Sequence, residues 1–294
     1  MKILYIAGMP HSGATILGNA LGELDGFFCA GELFFLERVL PDGRCGCGAP
    51  VGECPVWSAV IGSGANRLDL EALKARERHY RARSLPVATL AGAAGLRRAD
   101  TASYVEALGD LYARVQKTTG CRVVVDTSHS PTYARLLGTI PGVELYLVHL
   151  VRNPHATAFS WLRSNEGCDD HPLLLGTIWN VWNSLTPLAG RAAVGSCLIR
   201  YEEFVEEPQA VIRHLVSFVG ETADRLPFAS ERELSLGTNH CVFGNSNRFR
   251  TGLVPIKLDE AWKSESPARL GLFNDIVTWP VRRRYGYGSF RPAA

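Results

Sequence analysis

Short apolar runs rich in β-branched residues recur along the chain, and each is followed by turn residues and then by a helical pattern. The runs are Ile3–Ala7, Arg122–Val125, Leu145–Val151 and Ser196–Arg200. Continuous apolar runs separated by helices are typical of parallel strands buried on both faces. The pattern therefore predicts an α/β fold with three layers, in which helices cover both faces of a central parallel sheet. Ligands of such folds bind at the carboxyl ends of the strands, so the residues after each run are candidates for function.

The alternation is interrupted between about residues 68 and 96, where Ala, Leu and Arg predominate. Leu70–Arg78 has the pattern of a polar helix, and residues 86–96 are rich in small side chains. We expect a single domain over residues 1–294 that carries a helical insertion at about residues 60–100. The insertion is either a lid over an acceptor or a solvated helical hairpin, and the pattern favours neither.

The composition is that of an ordinary soluble globular protein. The chain has 294 residues, a hydrophobic content of 46% and a formal net charge of +2. Nucleic-acid-binding proteins usually carry a larger and clustered basic excess, so we expect no nucleic-acid partner. No apolar run approaches the roughly 18 residues that a membrane span needs. Because the first predicted strand begins at about residue 3, we expect no signal peptide and a cytoplasmic location. The oligomeric state stays open.

The first predicted strand leads into the segment Gly8-Met9-Pro10-His11-Ser12-Gly13-Ala14-Thr15, which opens a helix. A strand, a small-residue turn and a helix N-terminus together direct backbone N–H groups at an anion. The frame Gly-x4-Gly-x-Thr matches a nucleotide P-loop except at Ala14, which replaces the lysine that reaches the β- and γ-phosphates. We therefore expect a P-loop-like turn that binds phosphate but does not support γ-phosphoryl transfer. This points to a donor nucleotide other than ATP or GTP.

Five further side chains near predicted strand ends and in a loop could bind an anion or a base. Arg152 follows one strand, and Ser160 lies about two turns into the helix that comes next. Arginine grips phosphate through paired N–H donors, although Arg152 could instead form a structural ion pair. Tyr201 follows another strand and could stack on a base or close the core. Arg248 and Arg250 lie in a loop rich in Gly, Asn and Ser and offer a second anion clamp.

Eight cysteines are present, and three of them, Cys45, Cys47 and Cys54, fall within ten residues of one another in a Gly-rich stretch. A zinc site needs four ligands, and the neighbouring sequence offers no convincing fourth. A disulfide is disfavoured in the cytosol. We therefore expect reduced structural cysteines and no metal, with a disulfide or a metal as the open alternatives.

Together these segments resemble the sulfotransferases that use 3′-phosphoadenosine-5′-phosphosulfate (PAPS). The phosphosulfate loop of that family reads roughly Gly-x-Pro-(Arg/Lys)-Ser-Gly-(Thr/Ser)-Thr, which the segment from Gly8 to Thr15 resembles. Arg152 and Ser160 match its 3′-phosphate motif, an arginine at a strand end with a serine eight positions later. Arg200-Tyr201-Glu202-Glu203 looks like its Arg-Tyr-Glu-Asp strand end. Gly31-Glu32 and the segment Cys45–Trp57 are similar to features of the bacterial branch, and the likeness extends to about residue 265.

The resemblance implies roles for the matched residues. The turn formed by Pro10, His11, Ser12, Gly13, Ala14 and Thr15 would hold the 5′-phosphosulfate through backbone N–H groups and hydroxyls. Arg152, Ser160 and Arg248 would bind the 3′-phosphate, and Tyr201 would lie near the adenine. Glu32 matches the glutamate base of tyrosylprotein-type relatives, although an acid at a helix N-terminus is also favourable by itself. The donor would leave as adenosine 3′,5′-bisphosphate, and the mechanism needs no metal.

Two histidines stand where the family has permanent cations. His11 takes the basic position of the phosphosulfate loop, and Asp126-Thr127-Ser128-His129 replaces an Asp-Ser-Ser-Lys pattern. Histidine is mostly neutral near pH 7 unless its pKa rises, and a nearby sulfate would favour protonation. We therefore predict catalytic roles for His11 and His129 and a steeper pH dependence than in lysine- or arginine-bearing relatives. A flat rate between about pH 5.5 and 8 would count against a charged histidine.

The leading hypothesis is a sulfotransferase that moves a sulfuryl group from PAPS to a hydroxyl or amine of a small molecule. The transfer is an in-line displacement with Glu32 as the base. A P-loop kinase is the weaker enzyme alternative, since Ala14 removes the phosphate-bridging lysine. A non-catalytic nucleotide-binding protein on the same fold is the other alternative. The acceptor stays open, because the mixed aromatic and arginine side chains of residues 33–100 and 163–190 suit several small-molecule classes.

Overall fold

The structure is a computed structural model that describes residues 1–79, 98–164, 172–266 and 268–289. Within them, a five-stranded sheet forms the centre of the molecule. Its strands are β1 (Lys2–Ala7), β2 (Phe27–Gly31), β3 (Val123–His129), β4 (Glu144–Val151) and β5 (Gly195–Arg200). The four strands predicted from apolar runs are confirmed, with β3 extending four residues further than predicted. The small-residue segment 86–96 of the predicted insertion lies outside the described residues.

All five strands run parallel, in the order β2-β3-β1-β4-β5. Ile3 of the central strand pairs with Val124 on one side and with Leu145 on the other. Because the strands are parallel, their carboxyl ends meet at one edge of the sheet. This edge, called the carboxyl edge below, is where ligands bind in α/β folds.

Helices connect the strands. They are α1 (Ala14–Gly22), α2 (Leu36–Val39), α3 (Pro55–Ile61), α4 (Leu70–His79), α5 (Arg98–Thr119), α6 (Pro131–Leu137), α7 (Pro154–Arg163), α8 (Pro172–Ala189), α9 (Tyr201–Glu206), α10 (Pro208–Phe218), α11 (Trp262–Glu265) and α12 (Ala268–Arg284). Several begin with proline. Proline lacks a backbone N–H, and this costs no hydrogen bond in the first turn, where N–H groups have no partner within the helix. The polar helix predicted at Leu70–Arg78 is confirmed as α4. None of the described helices is long and apolar enough to cross a bilayer.

Alternate residues of β1 point to opposite faces and build two separate cores. Ile3 and Tyr5 pack with side chains of α3, α5 and α6. Leu4 and Ile6 pack on the other face with side chains of α1 and α10. All four are fully buried, and removing such apolar surface from water stabilises by about 25 cal/mol per Å². The predicted three-layer α/β/α arrangement is therefore confirmed.

A small antiparallel sheet was not predicted. It consists of β6 (Phe228–Ser230), β7 (Glu233–Leu236) and β8 (Gly252–Pro255). Leu234 and Val254 from this sheet enter the same core as α1. The segment that joins β7 to β8 consequently runs beside α1 and the end of β2, where Val242 N donates to Ala30 O at 3.0 Å. The small sheet thus delivers a distant piece of chain to the carboxyl edge.

Candidate functional site

The turn between β1 and α1 has a backbone shape that restricts its residues. Gly8, His11 and Gly13 have φ values of 153°, 69° and 98°. A Cβ at Gly8 would lie 2.2 Å from the backbone oxygen of Leu150, and one at Gly13 would lie 2.4 Å from the Tyr201 ring. Both glycines are therefore required by close approach as well as by conformation. Strand β4 and helix α9 hold the turn in place from outside.

The turn and the start of α1 present unsatisfied donors. The N–H groups of Ser12, Gly13, Ala14 and Thr15 form no hydrogen bond with any part of the chain that the structure describes. The Ser12 hydroxyl is buried and likewise has no partner there. Gly13, the N-cap residue, has no side chain with which to cap the helix. Open N–H groups at a helix N-terminus attract an anion, so the turn has the geometry predicted for phosphate binding.

Arg152 connects the end of β4 to this turn. Its Nη1 donates to the carbonyl oxygen of His11 at 3.0 Å, and its side chain is almost fully buried. The guanidinium carbon lies 4.7 Å from the centroid of the Tyr201 ring. Arg152 forms no ion pair with a carboxylate of the described residues. Its buried Nε likewise has no hydrogen-bond partner among them. A structural ion pair, the alternative role, is therefore not what holds Arg152.

Ser160 lies on α7 next to the same turn. His11 Nδ1 is 3.3 Å from Ser160 Oγ, although the two residues are 149 positions apart in the sequence. The His11 ring packs on Trp161, with the ring centroids 5.2 Å apart. Arg152, His11 and Ser160 therefore form one continuous group, as the two separate motifs predicted.

Tyr201 begins α9 and lies between the turn and the guanidinium of Arg152. Its neighbour Glu202 joins the ends of β4 and β5, because Oε1 accepts from Asn153 N at 3.0 Å and Oε2 accepts from Tyr287 Oη at 2.7 Å. Burial raises the pKa of the Tyr201 hydroxyl. These contacts give Tyr201 a role in closing the turn; its position near an adenine stays a prediction.

Glu32 follows β2 and faces the turn from the other side. Its carboxylate is buried, with Oε1 3.7 Å from His129 Nε2. A Cβ at Gly244 would lie 3.3 Å from Glu32 Oε1 and 3.5 Å from Thr15 Oγ1, so both oxygens border one space. Glu32 precedes only a short 3₁₀ helix, Leu33–Phe35, and its side chain does not cap it. The alternative role of an acid that favours a helix N-terminus is weak in this geometry.

His129 ends β3 with a positive φ of 63° and is buried beside Glu32. Burial, with a smaller contribution from the nearby charge of His11, lowers the pKa of the His129 imidazole to about 4. The imidazole is therefore neutral near pH 7 in the donor-free protein. Without a bound donor, the pKa of His129 is therefore not raised, and the imidazole does not replace the positive charge of the family's lysine. A neutral imidazole still has one N–H to donate.

Two residues of the same strand, Asp126 and Ser128, position the groups around Glu32. Asp126 is fully buried and accepts from Tyr112 Oη and, at 2.7 Å, from Ser128 N. Burial raises the pKa of the Asp126 carboxyl to about 6. Ser128 Oγ accepts from Phe34 N at 3.0 Å, which ties the end of β3 to the residues after Glu32. The sequence analysis noted Asp126 within a motif. It did not indicate that Asp126 is a buried carboxylate that holds Tyr112 and Ser128 by hydrogen bonds.

Arg248 lies on the short 3₁₀ helix Ser246–Phe249, beside α1. Its Nη1 donates to the carbonyl oxygen of Gly244 within its own loop. Burial lowers its pKa, and the carboxylate of Glu32 partly opposes that effect. No hydrogen bond in the described chain links Arg248 to Arg152 or Ser160. The structure therefore brings Arg248 toward Glu32, and its role at a 3′-phosphate stays a prediction.

His240 was missed by the sequence analysis. The structure places it with Cys45, Cys47 and Cys54, and one ligand atom from each of the four lies within 4.8 Å of the others. The neighbouring sequence offered no fourth ligand for the three cysteines, and the structure supplies a candidate from a distant segment. His240 is 186 positions from Cys54, so no local spacing could have connected them.

Known proteins share this architecture. A family model described as "Sulfotransferase family" matches residues 4–225. The sulfotransferase domain from the Synechococcus PCC 7002 olefin synthase superposes with a TM-score of 0.59 at 21% identity, covering 98% of this chain and 95% of that chain. The sulfotransferase domain from the curacin biosynthetic pathway gives a TM-score of 0.54 at 18% identity and covers 98% of both chains. At these identities the two structures show the fold alone. No curated protein matches the chain.

Proposed function

The chain belongs to the sulfotransferase family, and we propose that it moves a sulfuryl group from PAPS to a hydroxyl or amine of a small molecule. The observation that carries the choice of donor is the contact between Arg152 Nη1 and the His11 carbonyl. It puts a second anion-binding group beside the phosphate-binding turn. PAPS has two separate anionic ends, whereas the charges of ATP all lie on one end.

The unsatisfied donors support this assignment. A buried polar group without a partner costs about 1–3 kcal/mol, so Ser12 Oγ and Arg152 Nε favour a ligand that accepts from them. We assign the 5′-phosphosulfate to the N–H groups of Ser12 to Thr15. We assign the 3′-phosphate to Arg152 and Ser160.

The transfer step uses Glu32 as the base. The acceptor oxygen or nitrogen forms a bond to sulfur while Glu32 takes its proton, and the bond from sulfur to the bridging oxygen of the 5′-phosphate breaks. Adenosine 3′,5′-bisphosphate leaves with the electron pair of that bond. The position of Glu32 on the space that Thr15 also borders supports this role. His11 and His129 would donate hydrogen bonds to the sulfuryl oxygens, where charge is held during transfer.

The competing functions differ in their ligands. A P-loop kinase would need a cation where the methyl group of Ala14 is buried. A non-catalytic nucleotide-binding protein would bind the same donor as a sulfotransferase without turning it over. Nucleotide binding therefore distinguishes a kinase from the other two functions. Sulfuryl transfer then distinguishes a sulfotransferase from a non-catalytic binding protein.

Calorimetry with three nucleotides tests the donor assignment. We expect adenosine 3′,5′-bisphosphate to bind more tightly than AMP, and ATP with magnesium to bind poorly. Arg152→Ala should abolish the preference for the 3′-phosphate, because the guanidinium that recognises it is gone. Arg163→Ala, on the exposed end of α7, is the matched control and should retain the preference. Equal affinities of the wild-type protein for AMP and adenosine 3′,5′-bisphosphate would refute the assignment.

Transfer itself is tested with radiolabelled PAPS and a cell extract. A sulfated small molecule that appears only with the wild-type protein identifies the acceptor. Donor binding without any labelled product would favour the non-catalytic alternative.

A further inference from the structure

Three thiols and one imidazole converge beside the carboxyl edge. Cys45 and Cys54 are buried, and Cys47 and His240 are half-buried. His240 Nδ1 lies 3.2 Å from Cys54 Sγ and 3.7 Å from Cys45 Sγ. The four ligand atoms all lie within 4.8 Å of one another. Packing of small apolar side chains does not by itself explain why four such ligand atoms converge.

The two S–N distances are close to those of a tetrahedral metal site. Zinc binds cysteine sulfur at about 2.3 Å and histidine nitrogen at about 2.0–2.1 Å, so a tetrahedral site has S–N edges of about 3.6 Å and S–S edges of about 3.8 Å. The two measured S–N distances of 3.2 Å and 3.7 Å lie on either side of that edge. Three cysteines with one histidine form one of the usual ligand sets of structural zinc.

A tight backbone turn presents the first two ligands, and the start of α3 presents the third. Arg44 and Pro50 form an antiparallel bridge, and Cys45 N donates to Ala49 O at 2.8 Å while Gly48 N donates to Cys45 O at 2.8 Å. This turn holds the side chains of Cys45 and Cys47 together. Cys54 then caps the start of α3 as its N-cap residue. The backbone therefore fixes three ligand positions without help from an ion.

The fourth ligand is docked onto this turn by separate hydrogen bonds. Trp57 Nε1 donates to the carbonyl oxygen of His240 at 2.6 Å, and Gly46 N donates to Cys241 O at 2.9 Å. A Cβ at Gly46 would lie 1.9 Å from Asn239 Oδ1, so glycine is needed where the two segments meet. The imidazole is consequently oriented toward the thiols by contacts that do not involve its own ring.

We propose that Cys45, Cys47, Cys54 and His240 form a structural zinc site. All four coordination positions come from the chain, which is typical of a closed structural site rather than of a catalytic one. A disulfide would join two of the three thiols and leave the third thiol and the imidazole unexplained. The four-ligand cluster also accounts for the Gly-rich spacing around Cys45 and Cys47.

The site has a consequence for the carboxyl edge. His240 opens the segment that carries Val242, Gly244 and Arg248, and this segment passes beside Glu32. A bound zinc ion would anchor that segment to the turn around Cys45. The metal therefore holds one wall of the proposed donor site without touching the reacting atoms.

Metal analysis of the purified full chain tests the proposal. After reduction, incubation with excess zinc and desalting, we expect about one zinc per chain. His240→Ala and Cys54→Ser should lose most of the zinc, and His240→Cys should retain it because a thiolate replaces the imidazole. Cys197→Ser, a half-buried cysteine on β5, is the matched control and should bind as the wild type does. A wild-type protein that retains no zinc after this treatment would overturn the proposal.

Cobalt substitution provides a readout that does not depend on the variants folding. The wild-type protein loaded with Co²⁺ should show the visible ligand-field bands of tetrahedral cobalt and sulfur-to-metal charge transfer. Chelation should then accelerate amide exchange in residues 43–54 and 239–249 while β1 remains protected. A cobalt spectrum without thiolate bands, or an intact mass showing a disulfide among these cysteines, would contradict the site. Neither result depends on whether PAPS is the donor.

Discussion

At the scale of single residues, burial controls the charge of the groups around the proposed base. His129 and Asp126 are both enclosed at the end of β3, and the effect of burial on His129 outweighs the Glu32 carboxylate that lies 3.7 Å from its Nε2. Loss of hydration disfavours the charged form of each, so the histidine pKa falls to about 4 and the carboxyl pKa rises to about 6. The residue types alone did not determine these shifts. The imidazole of His129 is therefore neutral near pH 7 in the donor-free protein.

The low pKa of His129 predicts that this residue contributes less to stability as the pH falls. Between its unfolded pKa of 6.5 and its folded pKa of about 4, the unfolded chain binds the extra proton, so the free energy of unfolding falls as pH decreases through that window. Asp126 opposes this, because its folded pKa of about 6 exceeds 3.8 and the folded state binds its proton first. Asparagine tolerates a positive φ, so His129→Asn should keep the backbone conformation. We expect this substitution to reduce the slope of the free energy of unfolding against pH by roughly 1 kcal/mol per pH unit.

Urea unfolding at a series of pH values between about 4 and 7 measures that slope. His214→Asn is the control, because His214 is exposed on α10 and should leave the slope unchanged. Parallel curves for the wild type and His129→Asn would show that His129 is not the group that titrates.

Substitution of Glu32 by glutamine tests its role as the base. Glu32→Gln keeps the shape of the side chain but cannot take a proton, so we expect the transfer rate to fall by about 100-fold or more. The affinity for adenosine 3′,5′-bisphosphate should not change, because the donor is held by the turn and by Arg152. Single-turnover kinetics with calorimetry separates the two quantities. Glu106→Gln, on the exposed face of α5, is the control, and an unchanged rate in Glu32→Gln would remove Glu32 from the mechanism.

At the scale of elements, the turn between β1 and α1 depends on its two neighbours, β4 and α9. Leu150 closes the turn at Gly8, and Tyr201 closes it at Gly13. The turn is thus shaped by contacts with elements that lie far away in the sequence. Its N–H groups stay open to an anion because no side chain caps α1.

Gly13→Ala should damage the turn in two ways. Its φ of 98° is unfavourable for alanine, and its Cβ would meet the Tyr201 ring at 2.4 Å. We expect the free energy of unfolding to fall by about 1–3 kcal/mol and the binding of adenosine 3′,5′-bisphosphate to be lost. Thermal unfolding and calorimetry measure both. Gly52→Ala is the control, because nothing lies within 4 Å of a Cβ at Gly52. Full donor binding by Gly13→Ala would show that the turn does not hold the phosphosulfate.

At the scale of the whole molecule, the strand order β2-β3-β1-β4-β5 brings the candidate groups together. The central strand leads to the turn between β1 and α1, its neighbour β3 ends in His129, and Arg152 follows its other neighbour, β4. The small sheet returns the chain to this edge with Gly244 and Arg248.

Strand β2 and the small sheet show why part of this architecture could not be predicted. Phe27–Gly31 includes Cys, Ala and Gly and lacks the β-branched run that marked the other strands. The strands of the small sheet have only three or four residues, too few for a period of two to be recognised. Local pattern therefore predicted the long buried strands and failed at the short ones.

The sequence by itself determined the parallel α/β framework and the glycine-containing turn between β1 and α1, and it marked Arg152 and Ser160, which both lie beside that turn. These follow from local order, namely apolar runs, glycine spacing and the residues at strand ends. Only the tertiary structure decided that His240 joins three cysteines 186 or more positions away, that Arg248 lies toward Glu32, and that His129 is neutral. Contacts between distant segments and the loss of water around a side chain both depend on the complete packing of the chain, which no local pattern records.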